Sequence, residues 1–181
     1  MLHADLPLVY QHQAADSNSP DDPIVLMIHG YGSHENDLFS LKDYLGNKCH
    51  LVSVRAPINL GMGGFAWYPI NFSELGGKIS DTAAAVQSRE LLRQFVAAFR
   101  EKHQLTNNPL WLMGFSQGGI LSYAYALSYP TEVKRVMALS AYVLKETVPE
   151  EYAKAELSGL DFFVSHGVQD EIIPINAARQ S

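Results

Sequence analysis

The stretch LWLMGFSQGGIL, residues Leu110 to Leu121, decides the fold because it joins an apolar strand to a helix through a tight turn. Its first half, Leu110 to Phe115, is typical of a strand buried on both faces of a parallel sheet, and Ile120 to Leu127 has helical character. Between them, GFSQG at 114–118 places glycine on either side of Ser116, which permits close backbone approach. The pattern predicts a serine exposed at the sheet edge; an ordinary glycine-rich turn is the alternative.

Other apolar runs predict the remaining strands of the same sheet, and helical patterns separate them. The predicted strands are Ile24–Ile28, Leu51–Val54, Val133–Leu139 and Asp161–Ser165, with Leu8–His12 as an additional N-terminal candidate. The predicted helices are Glu35–Leu45, which Gly46 would end, and Thr82–Lys102, for which Ser80 or Asp81 is available as a cap. Because parallel strands need crossover connections that cover both faces of a sheet, this alternation predicts a three-layer α/β fold with a mostly parallel sheet and helices on both faces.

Composition argues against several classes of protein. The 181 residues suit one domain spanning 1–181, and the 47% of hydrophobic residues can build a core. A formal net charge of −6 without a basic stripe argues against a nucleic-acid partner. Cys49 is the single cysteine, and no histidine and carboxylate cluster has zinc spacing, so we expect no metal site. No stretch approaches the roughly 18 apolar residues of a membrane span, and we expect a soluble cytoplasmic protein.

Two backbone N–H groups are candidates to hold the oxyanion that a serine nucleophile generates. Gln117 follows Ser116 at the start of the predicted helix, where its N–H has no helical acceptor. The sequence HGYG, residues 29–32, follows the first buried strand, and its glycines permit a turn that directs the Tyr31 N–H toward the serine. The side chain of His29 is expected to be satisfied by loop carbonyls and to take no part in catalysis.

A serine nucleophile also needs an acid that orients its base, and Asp170 is the candidate. It ends HGVQD, residues 166–170, on a loop directly after the predicted strand Asp161–Ser165. Other carboxylates fall at strand starts or on helix-like surfaces, where a solvated charge is the simpler explanation; these are Asp161, Glu146, Glu150, Glu151 and Glu156.

The base is missing from the expected part of the sequence. In the order serine, acid, histidine it should follow Asp170, but residues 171–181 contain no histidine. Of the seven histidines only His166 lies beyond Ser116, and its place four residues before Asp170 suits a structural partner of the same loop better than a base. The last residues also begin like a helix. We therefore expect residues 1–181 to lack a final strand and helix, and the catalytic histidine to lie farther on.

An aromatic connection, Ala56 to Phe72, supplies candidate substrate-binding residues. Its glycines and prolines are typical of a loop, and ligand pockets are mainly apolar. The predicted substrate-binding residues are Met62, Phe65, Trp67 and Tyr68, with Trp67 as the best candidate for a pocket wall. A hydrophobic plug beneath a long connection would explain the same residues equally well.

Taken in order, the motifs HGYG, RAP, GGFAWY, GFSQGG and HGVQDEIIP resemble those of the phospholipase/carboxylesterase family of α/β-hydrolases, which includes acyl-protein thioesterases. The similarity covers residues 24–174. It implies an α/β-hydrolase fold and these site residues: Ser116 as nucleophile, Asp170 as acid, and Tyr31 and Gln117 as oxyanion donors.

The expected function is that of a serine hydrolase, which cleaves a small-molecule carboxylic ester or thioester through an acyl-enzyme and needs no cofactor. The missing histidine supports a second hypothesis from another class. Under that hypothesis the chain is a noncatalytic domain of the same fold that binds an acyl or ester ligand.

Overall fold

The computed structural model describes residues 1–17, 19–72, 78–151 and 157–181, and a seven-stranded sheet lies at the centre of that part. The strands are β1 (Leu2–His3), β2 (Tyr10–Gln13), β3 (Ile24–Ile28), β4 (His50–Val54), β5 (Ile58–Gly61), β6 (Gly64–Ala66), β7 (Ile70–Phe72), β8 (Lys78–Ser80), β9 (Leu110–Phe115), β10 (Arg135–Leu139) and β11 (Asp161–Ser165). The helices are α1 (Asn36–Phe39), α2 (Lys42–Leu45), α3 (Thr82–His103), α4 (Gln117–Ser128) and α5 (Ile175–Arg179).

The sheet has the strand order β1-β2-β4-β3-β9-β10-β11. Its β4-β3-β9-β10-β11 part is parallel, whereas β1 and β2 are antiparallel additions at one edge. The strands predicted at 24–28, 110–115 and 161–165 are confirmed at the same boundaries. The predicted strand Leu8–His12 is shifted, because β2 pairs with β4 only from Tyr10 opposite Val54 to Gln13 opposite Leu51.

Helices cover both faces of this sheet, as the alternating pattern predicts. On one face α3 packs against α4, and its apolar stripe is buried; the stripe consists of Leu92, Phe95, Val96 and Phe99. Asp81 caps α3, since its side chain accepts a hydrogen bond from the Ala84 N–H at 2.9 Å. On the other face α1 buries Leu38 against β3 and β4.

The single helix predicted at Glu35–Leu45 is wrong, because the segment forms two short helices, α1 and α2. Between them the Ser40 hydroxyl donates a hydrogen bond to the Asp37 carbonyl at 2.6 Å. Serine side chains that bond nearby backbone in this way compete with helix continuation. Gly46 directly follows α2, as predicted for its end.

Parallel strands place their following loops at one edge of the sheet, and this edge carries the predicted site. The loop after β3 carries Tyr31, the turn after β9 carries Ser116, and the loop after β11 carries Asp170. The connection Ala56–Phe72, predicted as a loop, instead contains the β5–β6 hairpin and the strand β7, because backbone pairing satisfies its polar groups.

Candidate active site

Ser116 occupies a strained turn between β9 and α4. Its φ of 51° and ψ of −115° lie outside the regions that a residue other than glycine adopts without strain. Backbone bonds close the turn: the Ser116 N–H donates to the Leu139 carbonyl at 2.9 Å, and the Ser116 carbonyl accepts from the Ile120 N–H at 3.0 Å. Within the described part of the chain no side chain binds the serine hydroxyl, and Ser116 lines a cavity.

Glycine is needed on both sides of this serine because backbone segments meet there. A Cβ on Gly114 would lie 2.3 Å from the Gly118 carbonyl oxygen, and a Cβ on Gly118 would lie 1.9 Å from the Ile28 carbonyl oxygen. Backbone carbonyls cannot rotate away as a flexible side chain could. The close approach that the sequence pattern predicts is therefore present, and it joins β3, β9 and α4.

The two predicted oxyanion donors line the same cavity as Ser116. Among the described residues no acceptor takes the backbone N–H of Tyr31 or of Gln117. The buried side chain of Gln117 is held from both ends: its Oε1 accepts from the Trp67 N–H at 2.9 Å, and its Nε2 donates to the Tyr68 carbonyl at 2.8 Å. The first turn of α4 is thereby fixed against the connection that carries these aromatic residues.

The loop that carries Tyr31 is held by an ion pair that the sequence analysis missed. Arg55 donates two hydrogen bonds to the Glu35 carboxylate, at 2.6 and 2.7 Å, and the Glu35 side chain is only 3% exposed. Arg55 holds the pKa of Glu35 below its ordinary value. Arg55 directly follows β4, but Glu35 lies seven residues after the end of β3, so no spacing in the sequence indicated that the two would pair.

Phe65, predicted as a substrate-binding residue, contacts the Tyr31 loop and is not among the described residues that line the cavity. Its N–H donates to the Ser33 carbonyl and its carbonyl accepts from the Gly32 N–H, each at 2.8 Å. Its ring lies under the Arg55 guanidinium, 4.6 Å from the ring centroid. The β5–β6 hairpin therefore braces the loop that follows β3.

Asp170 fixes the loop after β11 through its carboxylate. Its Oδ1 accepts from the N–H groups of Ile172 and Ile173, each at 2.9 Å. These bonds, the Ile173 bond foremost, lower the pKa of Asp170, with smaller contributions from His166 and Ser140. Its Oδ2 lies 3.6 Å from the Nε2 of His166. Asp170 is thus an ionised carboxylate beside the cavity.

Neither histidine near the site is arranged as a base for Ser116. The Nε2 of His166 is 2.7 Å from the Ile173 carbonyl, a contact in which the imidazole donates. His29 is fully buried, with Nδ1 2.7 Å from the Gly30 carbonyl and Nε2 accepting from the Ala56 N–H at 3.1 Å. Burial lowers the pKa of His29 and favours a neutral ring, as expected for a structural side chain.

The cavity beside Ser116 has a volume of about 480 Å³ and a mainly apolar wall. Of the described residues the following line it: Tyr31, Tyr68, Ile70, Ser80, Ser116, Gln117, Ile120, Tyr142, Ile172, Ile173, Pro174 and Ala177. This wall contains no histidine and no residue charged at neutral pH. The arrangement suits an uncharged organic ligand placed against the serine.

Two further predicted substrate-binding residues do not line this cavity. Met62 is fully exposed at the turn between β5 and β6. Trp67 is buried, and its indole N–H donates to the His29 carbonyl at 2.9 Å, so it acts as the hydrophobic plug that was the alternative. Tyr68 does line the cavity. The side chain of Phe72 lies outside the described part of the chain.

The competing carboxylates take other places. Asp161 pairs with Arg135 at 3.1 Å on the surface, Glu146 lies in a 3₁₀ turn, and Glu150 and Glu151 are exposed. Glu156 lies outside the described residues. Across the described ranges no group of three or more metal-ligating side chains is arranged to hold an ion. Among these residues no helix is long and apolar enough to cross a membrane.

Much of the cavity wall was not predicted from sequence. Ile120 lies in the predicted helix, and Ile172, Ile173 and Pro174 follow Asp170 in the motif HGVQDEIIP. Apolar residues directly after a candidate acid were a usable signal, because that loop must return across the serine. Tyr142 had no such signal, since only the sheet order brings the loop after β10 beside Ser116.

Comparisons with known proteins identify the family to which the chain belongs. A model of the phospholipase/carboxylesterase family matches residues 11–181. Acyl-protein thioesterase 1 of Emericella nidulans is 26% identical over 179 residues, which cover 87% of this chain and 73% of the relative. The putative hydrolase MhqD of Bacillus subtilis is 26% identical over 153 residues, which cover 83% of this chain and 71% of the relative.

Solved structures show the same fold. The carboxylesterase from Mesorhizobium loti has a TM-score of 0.77 at 20% identity, over 97% of this chain and 78% of that one. The esterase PE8 has a TM-score of 0.75 at 23% identity, over 94% of this chain and 79% of that one. The fold is therefore the α/β-hydrolase fold, with a mostly parallel sheet and helices on both faces.

Proposed function

Because the chain belongs to the phospholipase/carboxylesterase family, we propose that it hydrolyses small-molecule carboxylic esters or thioesters with Ser116 as the nucleophile. The observation that carries the proposal is the strained backbone of Ser116, at φ 51°, in a turn that opens on an apolar cavity. Strain of this kind persists only where the surrounding structure enforces it, and it clusters at active sites. The backbone contacts of Gly114 and Gly118 provide that enforcement here.

In the proposed reaction the Ser116 Oγ attacks the carbonyl carbon while its proton passes to a base. The carbonyl electron pair forms an oxyanion, which the N–H groups of Tyr31 and Gln117 stabilise. Collapse of this intermediate breaks the C–O or C–S bond, and the leaving group takes the proton. Water then releases the acyl group by the same steps, without a cofactor.

Asp170 is proposed to orient the base, which the family resemblance assigns to a histidine after the acid. Residues 171–181 contain none, and the Nε2 of His166 is engaged by the Ile173 carbonyl. We therefore expect the 181-residue chain to react with a fluorophosphonate no faster than its Ser116→Ala variant, because a serine hydroxyl is a weak nucleophile without a base. Rapid labelling would instead locate a base within these residues.

The experiment that tests the nucleophile uses the protein expressed from its natural reading frame. Hydrolysis of p-nitrophenyl esters of increasing chain length, and of matched thioesters, is compared between the parent and Ser116→Ala. A loss of at least roughly a thousandfold is expected, with unchanged unfolding temperature. Ser40→Ala is the matched control, because among the described residues that hydroxyl bonds the Asp37 carbonyl alone. Retained activity in Ser116→Ala would overturn the assignment.

A second candidate function is noncatalytic binding of an acyl or ester ligand. It is favoured by one observation, that none of the described residues lining the cavity is a histidine. Ligand binding without hydrolysis or fluorophosphonate labelling, in the protein from its natural reading frame, would support the binder. Turnover that depends on Ser116 would exclude it.

A further inference from the structure

Ser140 is a second serine with a strained backbone at the edge of the sheet that carries Ser116. It directly follows β10, and its φ of 48° lies in the left-handed region, which few residues other than glycine adopt. The two serines repeat one arrangement on adjacent strands. The Ser116 N–H donates to the carbonyl of Leu139, the last residue of β10, and the Ser140 N–H donates at 2.8 Å to the carbonyl of Ser165, the last residue of β11. Ser140 is not among the described residues that line the cavity, so exposure of a nucleophile does not explain its strain.

The position of Ser140 brings its hydroxyl to Asp170. Leu139 lies opposite Ser165 in the pairing of β10 with β11, so the residue after β10 adjoins the loop that leaves β11. The Ser140 hydroxyl donates a hydrogen bond to the Asp170 carboxylate. Backbone strain persists where the surrounding structure enforces it, and here it accompanies a contact with the proposed acid.

This hydrogen bond differs in origin from the other contacts of the Asp170 carboxylate. Its Oδ1 accepts from the N–H groups of Ile172 and Ile173, each at 2.9 Å, and its Oδ2 lies 3.6 Å from the Nε2 of His166. These three partners belong to the same segment as Asp170, residues 166–173, and would move together with it. Ser140, in contrast, belongs to another part of the chain, at the end of β10. Its hydroxyl therefore ties the carboxylate to the sheet.

We propose that Ser140 is a positioning residue: its hydroxyl fixes the Asp170 carboxylate relative to the strand ends that carry the site. The proposal deepens the function proposed above and rests on it for the role of Asp170 as the acid. An acid that orients a base must be held in one direction, because a carboxylate that is free to rotate spends less time in the productive geometry. Glycine would relieve the strain at position 140 but could not donate this hydrogen bond.

The ionisation of Asp170 tests the contact without requiring catalysis. Carboxyl carbon resonances of the 181-residue chain are titrated by NMR in the parent, Ser140→Ala and Ser140→Gly, and Asp170→Asn identifies the resonance of Asp170. Both Ser140 variants should raise the pKa of Asp170 above that of the parent, because a hydrogen bond to the ionised form lowers it. Equal shifts would assign the effect to the hydroxyl, since glycine relieves the backbone strain and alanine does not. An unchanged pKa in both variants, or a change in Ser140→Ala alone, would overturn the proposal.

Kinetics of the protein expressed from its natural reading frame test the positioning itself. Ser140→Gly should lower kcat for p-nitrophenyl ester hydrolysis about three- to tenfold with KM unchanged, because the direction of the acid matters in the transition state and not for substrate binding. A raised KM with unchanged kcat would contradict this role. Unfolding temperatures establish that each variant is folded.

Ser17→Ala is the matched control, because it also removes a hydroxyl that donates to a carboxylate. The Ser17 hydroxyl bonds Asp22 at 2.8 Å, and neither residue is among those described as lining the cavity. Both kcat and the pKa of Asp170 should therefore match those of the parent. Equal losses of kcat in Ser17→Ala and Ser140→Gly would overturn the proposal.

The two measurements separate this proposal from the proposed hydrolysis. If the parent does not hydrolyse esters, the hydrolase proposal fails, and the titration alone decides whether Ser140 holds Asp170. If the parent hydrolyses esters through Ser116 and Asp170, but Ser140→Gly leaves kcat or the pKa of Asp170 unchanged, the hydrolase stands and the proposal for Ser140 fails.

Discussion

Replacing Arg55 with methionine removes one partner of the ion pair that holds the Tyr31 loop. Methionine keeps much of the length of the side chain and its packing on Phe65, but it leaves the Glu35 carboxylate without its cation. Glu35 is 3% exposed, so water can replace the lost guanidinium only in part. The variant thus isolates the charge interaction.

The expected cost is about 3 kcal/mol of unfolding free energy at pH 7. Breaking a buried pair costs roughly 3–5 kcal/mol, and the lower end applies because the Arg55 side chain is 27% exposed. For a protein of this size that corresponds to a fall of roughly 6–12 °C in the unfolding temperature. Arg93→Met is the control: Arg93 contacts Glu132 at 2.6 Å, but their side chains are 45% and 30% exposed, so about 0–1 kcal/mol is expected.

The unfolding free energies of the parent and of Arg55→Met should depend on pH in opposite directions. In the parent, Arg55 lowers the pKa of Glu35, so the pair stabilises the fold above the ordinary value of 4.5 and is lost as pH falls through the folded pKa. In Arg55→Met the buried carboxylate has a raised pKa, and the variant loses stability as pH rises above that ordinary value. The loss of unfolding free energy caused by Arg55→Met should therefore be smaller at pH 5 than at pH 7.

Urea unfolding of the three proteins at both pH values measures these differences. Equal small losses for Arg55→Met and Arg93→Met would refute the reasoning, because burial would then make no difference. A deficit that is independent of pH would assign the loss to packing. The double variant Glu35→Gln/Arg55→Met should recover part of the lost stability, since no unpaired charge remains.

Three further predictions concern the turn, the acid and the N-terminal edge of the sheet. Gly118→Ala should lower the free energy of unfolding in urea by at least about 3 kcal/mol, because its Cβ would lie 1.9 Å from the Ile28 carbonyl oxygen. Gly159→Ala is the control and should be nearly neutral, since a Cβ there has nothing within 4 Å. A tolerated Gly118→Ala would contradict the rigid turn. Asp170→Asn should lower the rate of ester hydrolysis by the natural protein on the order of ten-thousandfold. Glu171→Gln should lower that rate only slightly, because Glu171 is exposed. The opposite ranking would make Glu171 the acid. Burial lowers the pKa of His12 from 6.5 to about 4, with smaller contributions from the nearby His103, His50, His3 and Lys102. The unfolding free energy should therefore fall by up to about 3 kcal/mol as pH falls from 6.5 to 4. His12→Phe should reduce this pH dependence, and an unchanged dependence would exclude His12 as its source.

Local sequence was sufficient for the turn at Ser116 and the strands that flank it. The glycines at 114 and 118 already predict close backbone approach. Only glycine permits the contact of residue 114 with the Gly118 carbonyl and that of residue 118 with the Ile28 carbonyl. Continuous apolar runs likewise identify strands that are buried on both faces, such as Ile24–Ile28. Asp170 was predicted as the acid because its loop directly follows one of these strands, and that role stays a prediction.

Tertiary structure alone decided which side chains meet across the site. Phe65 and Trp67 are aromatic residues of the same connection as Tyr68, and composition does not separate them; backbone pairing places Phe65 against the Tyr31 loop and Trp67 in the core. The Glu35–Arg55 pair joins residues 20 apart along the chain. Its strength depends on burial, a property of the packed fold that no spacing in the sequence expresses.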